Sequence, residues 1–341
     1  MFIDLPEHTP AWHAMRAGKI GGSDIAGLFG AQPDWGAGEY ELYHVKSGNV
    51  PPKKFVSGRA QWGTQFEPTI AHAAAKARGW KIVKGRYAVD DTTAGMGASL
   101  DYEVMDPGAD VDGVSLGPIL FDGDEIGRVM RPILGPLMGP GMMQVKQVDY
   151  GHYKREWIGG EPPAYVLLQV QHELACSGYT WAVIAALLGN NDLRLYFYEP
   201  RPKVIENIRT RVTRFWQRVK DKDPPPIDGS EGAERVVKEL FPVLADNEND
   251  PLDLTGDNEL PTICADLISA SANRLSFEKE EKRLKNRIRE KMGIHTFAFT
   301  TGFVLKCQVT PEKKPRKADP GEMIGGRAEA RKYIVTEDLA A

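Results

Sequence analysis

Cysteine, long apolar runs and net charge are all scarce in this chain of 341 residues. Its three cysteines (Cys176, Cys264 and Cys307) are far apart and odd in number, which argues against a disulfide framework and a zinc cluster. The longest apolar run, residues 181–188, is far shorter than the ~20 residues that span a bilayer. Because no basic segment followed by an apolar one opens the chain, no signal peptide is expected. These absences predict a protein of the reducing cytoplasm without a membrane partner.

Basic charge is not in excess, because 43 lysines and arginines stand against 47 acids, for a formal net charge of −4. A nucleic-acid binder that is basic overall is therefore excluded, and any polyanion must be bound by local patches. The charge is segregated: residues 87–127 contain ten acids and no lysine or arginine, whereas residues 201–222 contain eight basic residues and two acids. This pattern suits a metal site beside a phosphate backbone, although solvated loops and a solvated helix face would also produce it.

Proline and charge patterns divide the chain into three predicted parts. Residues 1–222 alternate between helical and strand patterns, which predicts an α/β core with a mixed central sheet flanked by helices. Residues 223–262 open with a proline run, which cannot continue a helix, and go on as an acidic linker with a short helix. Residues 263–341 form a mainly helical extension: a long charged helix that ends at Met292, then a hairpin over 295–309 and a loose tail.

Caps and periodicity predict the elements of the first part. The predicted helices are Thr9 to Gly18, one that begins at Ser23, 68–78, 163–177 and 202–220. The predicted strands are 81–89, 97–104, 142–149, 181–188 and 193–198, the last two as a hairpin. A Gly- and Pro-rich insertion at 106–141 is expected to be a surface loop, with a lid or a subunit contact as the alternative.

Two acids and a lysine could converge on one metal ion. Asp101 lies in the second predicted strand, and Gln144 and Lys146 share a face of the third, since side chains alternate along a strand. Glu67 lies at the predicted start of a helix. Oxygen ligands would hold Mg²⁺, the ion would lower the pKa of bound water, and the ammonium group would stabilise developing charge. Spacing alone does not distinguish this site from a chance grouping.

A glycine pair is a second candidate feature. Gly21 and Gly22 precede Ser23, and Arg16 lies seven residues before that serine. Glycines ahead of a helix let the backbone approach a phosphate closely, with the serine hydroxyl and the arginine as further donors. A plain capped turn is the alternative.

Two helices carry further candidates. Gln169 and His172 share a face of one apolar helix, with Gln171 about a quarter-turn or more away. The side-chain amides of the two glutamines serve either a polar site or buried structural hydrogen bonds. The last predicted helix of the core carries basic side chains that are candidate phosphate contacts, although part of them is expected only to face solvent. These basic residues are Arg209, Arg211, Arg214 and Arg218.

Five sequence blocks follow one another within residues 8–220. They are Arg16 with Ile20–Ala26, Trp62–Gly63 with Glu67–Pro68, Ser99–Asp101, Gln144–Lys146, and Gln169–His172. As an ordered set they resemble the YqaJ-like viral recombinase family, which is related to the lambda phage exonuclease and has the restriction-endonuclease-like PD-(D/E)xK fold. Each block alone is unspecific, and the residues after Pro224 are outside the resemblance.

The resemblance implies a Mg²⁺-dependent nuclease, in which Mn²⁺ could substitute, that degrades one strand of linear double-stranded DNA from its 5′ end. The 3′ overhang would pass to a single-strand annealing protein during phage-type recombination in a bacterial or phage-infected cell. Family members commonly form ring-shaped homotrimers around the DNA.

The resemblance also assigns roles to individual residues. Asp101, the position of Gln144 and the carbonyl of Val145 would bind the metal. Glu67 would hold a second metal or the attacking water, and Lys146 would position and activate that water. The 5′-phosphate pocket would comprise Arg16, Ser23, Ser99 and Gln169, with Gln171 as a further DNA contact.

One departure from the family matters for function. The family has glutamate where this chain has Gln144, and a neutral amide is the weaker ligand for a hard cation. We interpret Gln144 as an inactivating substitution that leaves DNA-end binding intact, with a natural variant that uses Asp122 or Asp124 as the alternative. Two other functions stay open: a naturally dead DNA-end-binding or scaffolding module that recruits an annealing protein or a sister subunit through its C-terminal helix, and a nicking or site-specific endonuclease.

Overall fold

The structure, a computed structural model, describes residues 1–3, 9–53, 58–107, 137, 139–189, 191–242, 253–301, 303–310, 316–317, 323–324 and 330–337. The chain forms two compact units, Met1–Leu244 and Ala245–Ala341. The division predicted at residues 222 and 262 stays a prediction about domains. The insertion predicted at 106–141 lies almost wholly outside the described residues. None of the described helices combines the length and apolarity that a membrane span requires.

The helices of the first unit surround two sheets. They are α1 (Pro10–Ala17), α2 (Glu39–Lys46), α3 (Gly58–Arg78), α4 (Tyr150–Glu156), α5 (Ala164–Ser177), α6 (Pro202–Asp221) and α7 (Glu231–Leu240), with 3₁₀ helices at Ile25–Phe29 and Ile158–Gly160. The strands are β1 (Phe2–Ile3), β2 (Lys81–Lys84), β3 (Tyr87–Val89), β4 (Gly97–Ser99), β5 (Tyr102–Asp106), β6 (Gly141–Val148), β7 (Ala182–Leu188) and β8 (Asp192–Tyr198).

The central sheet has the order β2-β5-β6-β7-β8. Strands β6 and β7 are parallel, and the other neighbours are antiparallel. This confirms the predicted α/β class with a mixed central sheet. Strands β1, β3 and β4 form a separate antiparallel sheet in the order β1-β3-β4.

The two faces of β6 pack on different helices, as the alternation of side chains requires. Met142 and Val148 belong to a buried cluster that includes Leu168 and Leu174 of α5. The intervening residues Met143 and Val145 belong to a second cluster with Ile70, Ala71 and Ala74 of α3. Gln144 and Lys146 therefore lie on the α5 face of the sheet.

The second unit contains one long helix and short strands. Helix α8 spans Leu260–Met292, and the strands are β9 (Phe297–Thr300), β10 (Phe303–Thr310), β11 (Arg316–Lys317), β12 (Met323–Ile324) and β13 (Ala330–Glu337). The β9-β10 hairpin confirms the prediction from alternation. The loose tail predicted after the hairpin is wrong in part, because β13 pairs with β10 along its whole length, on the edge opposite β9. This pairing satisfies backbone groups that a two-stranded hairpin would leave unpaired.

Caps and hairpin signals were reliable guides to several elements. Thr9 caps α1, its hydroxyl accepting from the Trp12 N–H at 3.3 Å. The helix α5 ends at Gly178 in the left-handed conformation (φ 73°), as the glycine predicted. Helix α6 and the β7-β8 hairpin also lie within a residue or two of their predicted bounds, and α8 ends at Met292 as predicted.

Two predicted helices are wrong at their starts. Glu67 is not in a first turn, because α3 begins at Gly58 and continues through Pro68. Proline removes one backbone donor, and the packing of Ile70 and Ala74 on the sheet supports the helix despite that loss. No α-helix begins at Ser23: the chain turns there and enters the 3₁₀ helix at Ile25.

The predicted strands 81–89 and 97–104 are each divided between two sheets. The crossing lies where Gly85 and Leu100 meet: the Gly85 N–H donates to the Asp101 carbonyl (3.0 Å), and the Leu100 N–H donates to the Arg86 carbonyl (3.2 Å). A Cβ at Gly85 would lie 2.2 Å from the Leu100 carbonyl oxygen. Asp101 thus lies between β4 and β5 rather than inside a strand.

This close contact makes Gly85 a testable constraint. We expect Gly85→Ala to lower the free energy of unfolding by about 1–3 kcal/mol, because the backbone must shift to admit the methyl group. Gly63→Ala is the matched control: this helical glycine has open space around it, so alanine should stabilise by about 0.5–1 kcal/mol. Urea denaturation measures both, and equal effects of the two substitutions would contradict the packing argument.

Candidate functional site

The site lies where two neighbouring strands of the central sheet part. Strands β5 and β6 pair up to Tyr102 and Met143, so the next residues in this register are Asp101 and Gln144. Beyond the last pair, the Val145 N–H donates to Asp101 Oδ2 at 2.8 Å instead of to a strand. Gln144 Nε2 donates to the same oxygen, also at 2.8 Å. One carboxylate oxygen therefore fixes the geometry of the gap.

Oxygen atoms converge on this gap. The N–H and C=O of one strand residue point to the same side, so the Val145 carbonyl faces the gap together with its N–H. Gln144 is 3% exposed, and its Oε1 has no hydrogen-bond partner within the described chain. A buried polar atom left unpaired costs about 1–3 kcal/mol. A cation would satisfy this oxygen, so the Asp101 carboxylate, Gln144 Oε1 and the Val145 carbonyl fit a divalent metal as a weakly charged ligand set.

Burial and neighbouring charges set the protonation of Asp101. Burial raises the pKa of its carboxyl group to about 6, the Lys146 ammonium opposes that rise, and the Glu67 carboxylate adds to it. Glu67 itself forms an ion pair with Lys84, with 2.7 Å between Oε1 and Nζ. The predicted residues Asp101, Gln144, Lys146 and Glu67 are thus near enough to interact.

A chain of hydrogen bonds connects Lys146 to helix α5. Lys146 Nζ donates to Gln169 Oε1 at 3.0 Å, and Gln169 Nε2 donates to Glu173 Oε1 at 2.8 Å. The amide of Gln169 is oriented by these contacts, because its oxygen faces an ammonium group and its nitrogen faces a carboxyl group. Glu173 is 1% exposed, and burial together with the charge of Asp101 raises its pKa to about 8.

The glycine turn packs directly on this chain of hydrogen bonds. A Cβ on Gly22 would lie 2.8 Å from Glu173 Oε1 and 3.1 Å from Gln169 Cγ, so a glycine is needed for the close approach. Ser23, Lys146 and Gln169 line one cavity of about 170 Å³, which also has aromatic walls from Trp35, Trp157 and Tyr165.

Ser99 and Arg16, the two other residues predicted to bind the phosphate, differ in their contacts. Ser99 Oγ is buried and has no hydrogen-bond partner among the residues that the structure describes. The Arg16 guanidinium lies over the Trp12 ring, 4.3 Å from its centroid. His172, next to this region, forms a buried hydrogen bond through Nε2 to the Gly97 carbonyl at 3.0 Å. This side chain therefore has a structural contact.

Gln171 lies apart from the site. Its Nε2 donates to the Glu199 carbonyl at 2.9 Å, and its Oε1 accepts from the Arg201 N–H at 2.7 Å. Both halves of the amide therefore hold the link between β8 and α6. Of the two readings for the amides of α5, structural hydrogen bonding describes Gln171 and a polar site describes Gln169.

Three of the four arginines of α6 make structural contacts. Arg209 pairs with the buried Asp90 at 2.6 Å, and Arg218 pairs with Asp223 at 3.0 Å. Arg211 donates to the Leu28 carbonyl at 2.6 Å. Arg214 lines an open surface groove with its neighbours on α6. DNA contacts by these residues stay predictions. Arg214 is the one of the four for which the described residues provide no hydrogen bond or ion pair, so it is the strongest candidate.

The sequence reasoning missed Glu173. It lies four residues after Gln169, on the same face of the same helix, in a segment that is otherwise largely apolar. This spacing was available from the sequence, because an acid inside an apolar helix needs a polar partner.

No group of three His, Cys, Asp or Glu side chains in the described ranges could hold a metal ion. Asp122 and Asp124, the alternative acids, lie outside those ranges.

Comparison with known proteins gives one family and a few partial likenesses. The family model of the YqaJ-like viral recombinase domain matches residues 11–180. Protein D345L of African swine fever virus is 34% identical over 71 residues, 20% of this chain and 19% of that protein. The match thus spans about a fifth of the curated relative.

Among solved structures, the alkaline exonuclease LHK-Exo from Laribacter hongkongensis is 19% identical with a TM-score of 0.44, over 63% of this chain and 94% of that one. LHK-Exo in complex with dAMP is 18% identical with a TM-score of 0.45, over 68% and 97%.

The raised pKa of Glu173 has a measurable consequence. The folded metal-free protein keeps the proton of this carboxyl group to higher pH than the unfolded chain, so the free energy of unfolding should fall as pH rises from about 4.5 to about 8. Glu173→Gln keeps an acceptor for Gln169 but cannot titrate, so it should flatten the upper part of this fall. Urea denaturation at several pH values in EDTA measures it, with the exposed Glu206→Gln as control. Parallel pH profiles for all three proteins would contradict the assignment.

Proposed function

Residues 11–180 of this chain belong to the family of YqaJ-like viral recombinase domains, and from this premise we propose that the protein is a metal-dependent exonuclease of DNA ends. It degrades one strand of linear double-stranded DNA from the 5′ end, and Gln144 weakens it. The observation that carries the proposal is the meeting of Asp101 and Gln144 where β5 and β6 part, with the Lys146 ammonium near Asp101.

A divalent ion, Mg²⁺ or Mn²⁺, would be held by the Asp101 carboxylate, Gln144 Oε1 and the Val145 carbonyl. When bound, it supplies Lewis-acid polarisation of a phosphate and a lower pKa for a neighbouring water. Glu67 would orient that water or contribute to holding a second ion. These oxygen donors are what hard cations prefer, and the amide in place of a carboxylate weakens the set.

Lys146 acts on the attacking water and on the charge that develops at the phosphate. One of its three donors goes to Gln169 Oε1. Within the described part of the chain no hydrogen bond is found for the other two, which would bind water and phosphate oxygens. Because Glu173 fixes the orientation of the Gln169 amide, the ammonium group is positioned before substrate arrives, which is the arrangement that electrostatic catalysis requires.

The terminal 5′-phosphate binds among Arg16, Ser23, Ser99 and Gln169. Support comes from the buried Ser99 hydroxyl without a recorded partner and from the cavity that Ser23 and Gln169 share with Lys146. Arg214 contributes a phosphate contact farther along the duplex. The 3′ overhang passes to a single-strand annealing protein in the cytoplasm, and a homotrimeric ring of nuclease cores would keep the enzyme on the DNA.

One observation favours a second candidate function. The described residues hold no group of three potential metal-binding acids, histidines or cysteines. A DNA-end-binding module with a naturally dead nuclease site, which recruits an annealing protein, would have this composition. It shares the phosphate pocket with the leading proposal and differs in whether a restored carboxylate is enough for cleavage.

Restoring the carboxylate separates the two functions. We expect Gln144→Glu to raise the Mg²⁺-dependent release of nucleotides from linear duplex DNA by roughly a hundredfold, because a carboxylate binds the divalent ion more tightly than an amide does. The assay follows which strand disappears from a duplex labelled differently on its two strands. Lys146→Ala in the Gln144→Glu protein should abolish the gain.

Two controls define the activity. A covalently closed circular duplex should stay intact, since cleavage begins at an end, and its degradation would indicate an endonuclease. If Gln144→Glu binds the DNA end as tightly as the parent protein and still releases no nucleotide, the dead end-binding module is correct and the exonuclease proposal is wrong.

The phosphate pocket predicts a preference that needs no metal. In EDTA, we expect binding to 5′-phosphorylated ends to exceed binding to 5′-hydroxyl ends, and Ser99→Ala to reduce that ratio by roughly tenfold, as expected for a lost hydrogen bond to a charged group. Ser177→Ala is the control, because that hydroxyl bonds to the Leu174 carbonyl at the end of α5. An unchanged ratio in Ser99→Ala would remove Ser99 from the pocket.

A further inference from the structure

Helix α8 carries large apolar side chains that contact little in the described chain. It is 33 residues long, and Ile263, Leu267, Phe277 and Leu284 are 50%, 65%, 75% and 45% exposed. Single exposed apolar residues are ordinary, but a contiguous exposed apolar stripe marks an interaction surface. The question is what covers it.

The stripe follows a heptad repeat. With Leu260 at position a, the a positions are residues 260, 267, 274, 281 and 288, and the d positions are 263, 270, 277, 284 and 291. Seven of these ten residues are apolar, and the exceptions are Arg274, Glu281 and Lys291. A seam of this length and period is typical of a coiled coil. The occupant is therefore another helix with a matching seam.

Charge along α8 favours a second copy of the same helix in the opposite direction. Residues 260–273 contain one acid, Asp266, and no basic residue, whereas residues 274–292 contain eight basic residues and four acids. A parallel pair would stack like charges at Arg274, Glu281 and Lys291 and would align the two basic halves. An antiparallel pair places each basic half against the other half of its partner, which lowers that repulsion.

One antiparallel register accommodates the three charged residues of the seam. When a positions face d positions about a centre between Arg274 and Phe277, Ile263 meets Ile288 of the partner subunit and Leu267 meets Leu284 of the partner subunit. Arg274 then lies over Phe277 of the partner subunit, a favourable cation–π arrangement. Beside the seam, Asp266 faces Arg287 of the partner subunit. This register contains no pair of like charges in the seam.

We propose that α8 is a dimerisation helix, which forms an antiparallel coiled coil with α8 of a second copy of this chain. It joins two chains independently of how their nuclease cores associate, so a core assembly would be linked to another by these helices. The proposal does not rest on the proposed nuclease function.

Substitution of a seam residue tests the contact in the full chain. We expect Leu267→Lys to halve the mass measured by analytical ultracentrifugation at micromolar concentration without DNA. Leu275→Lys is the matched control, since Leu275 is 50% exposed on the same helix but lies outside the seam. Leucine and lysine have similar helix propensity, and circular dichroism checks that the helix persists. A wild-type mass that Leu267→Lys leaves unchanged would overturn the proposal.

Cross-linking tests the direction, with Cys264→Ser as background. Chains with Leu267→Cys mixed with chains with Leu284→Cys should form mixed disulfide dimers, whereas Leu267→Cys alone should not, because the two sulfurs would lie about 25 Å apart along the axis. Cross-linking of Leu267→Cys with itself would show a parallel pair and overturn the proposed register. Association that appears only with DNA or an annealing protein added would show that the seam serves that partner.

Discussion

The parting of β5 and β6 is the constraint on which the candidate site depends. While two strands stay paired, their N–H and C=O groups are used by the ladder, and no side chain can take their place. Past Tyr102 and Met143 the ladder ends, and the Asp101 carboxylate accepts from the Val145 N–H that the ladder has released. Because the two strands separate there, the Val145 carbonyl points into the gap. Backbone and side-chain oxygens can meet there because the chain crosses between sheets at Gly85 and Leu100.

Residues that carry a local signal were predictable, and residues defined by tertiary contacts were not. The Thr9 cap, the glycine that ends α5 and the turn between β7 and β8 act within a few residues, so the sequence reveals them. The division of strands 81–89 and 97–104 depends on a contact between Gly85 and Leu100, which no local pattern encodes. The start of α3 was misplaced for a related reason, since packing on the sheet outweighs the effect of one proline.

The candidate site divides along the same line. Alternation placed Gln144 and Lys146 on one face, and the structure agrees. The amides of α5 could not be told apart from the sequence: Gln169 faces Lys146, while Gln171 binds the backbone before α6. Glu173 differs from these amides, because its position four residues after Gln169 can be read from the sequence. A buried acid signals a partner even when the partner is unknown, and here the partner is the amide that orients Lys146.

The amide of Gln144 has opposite consequences for folding and for the proposed binding of a metal. It donates to Asp101 at 2.8 Å, so it stabilises the folded chain when no cation is present. A glutamate in the same place would set two carboxylates side by side, and their repulsion would raise the pKa of one of them or require a cation between them. The second negative charge would therefore favour metal binding and, without a metal, would destabilise the fold through repulsion between the two carboxylates. In the proposed metal site, Gln144 would avoid this repulsion and would be the weaker ligand, which is the trade between stability and activity that is common at functional positions.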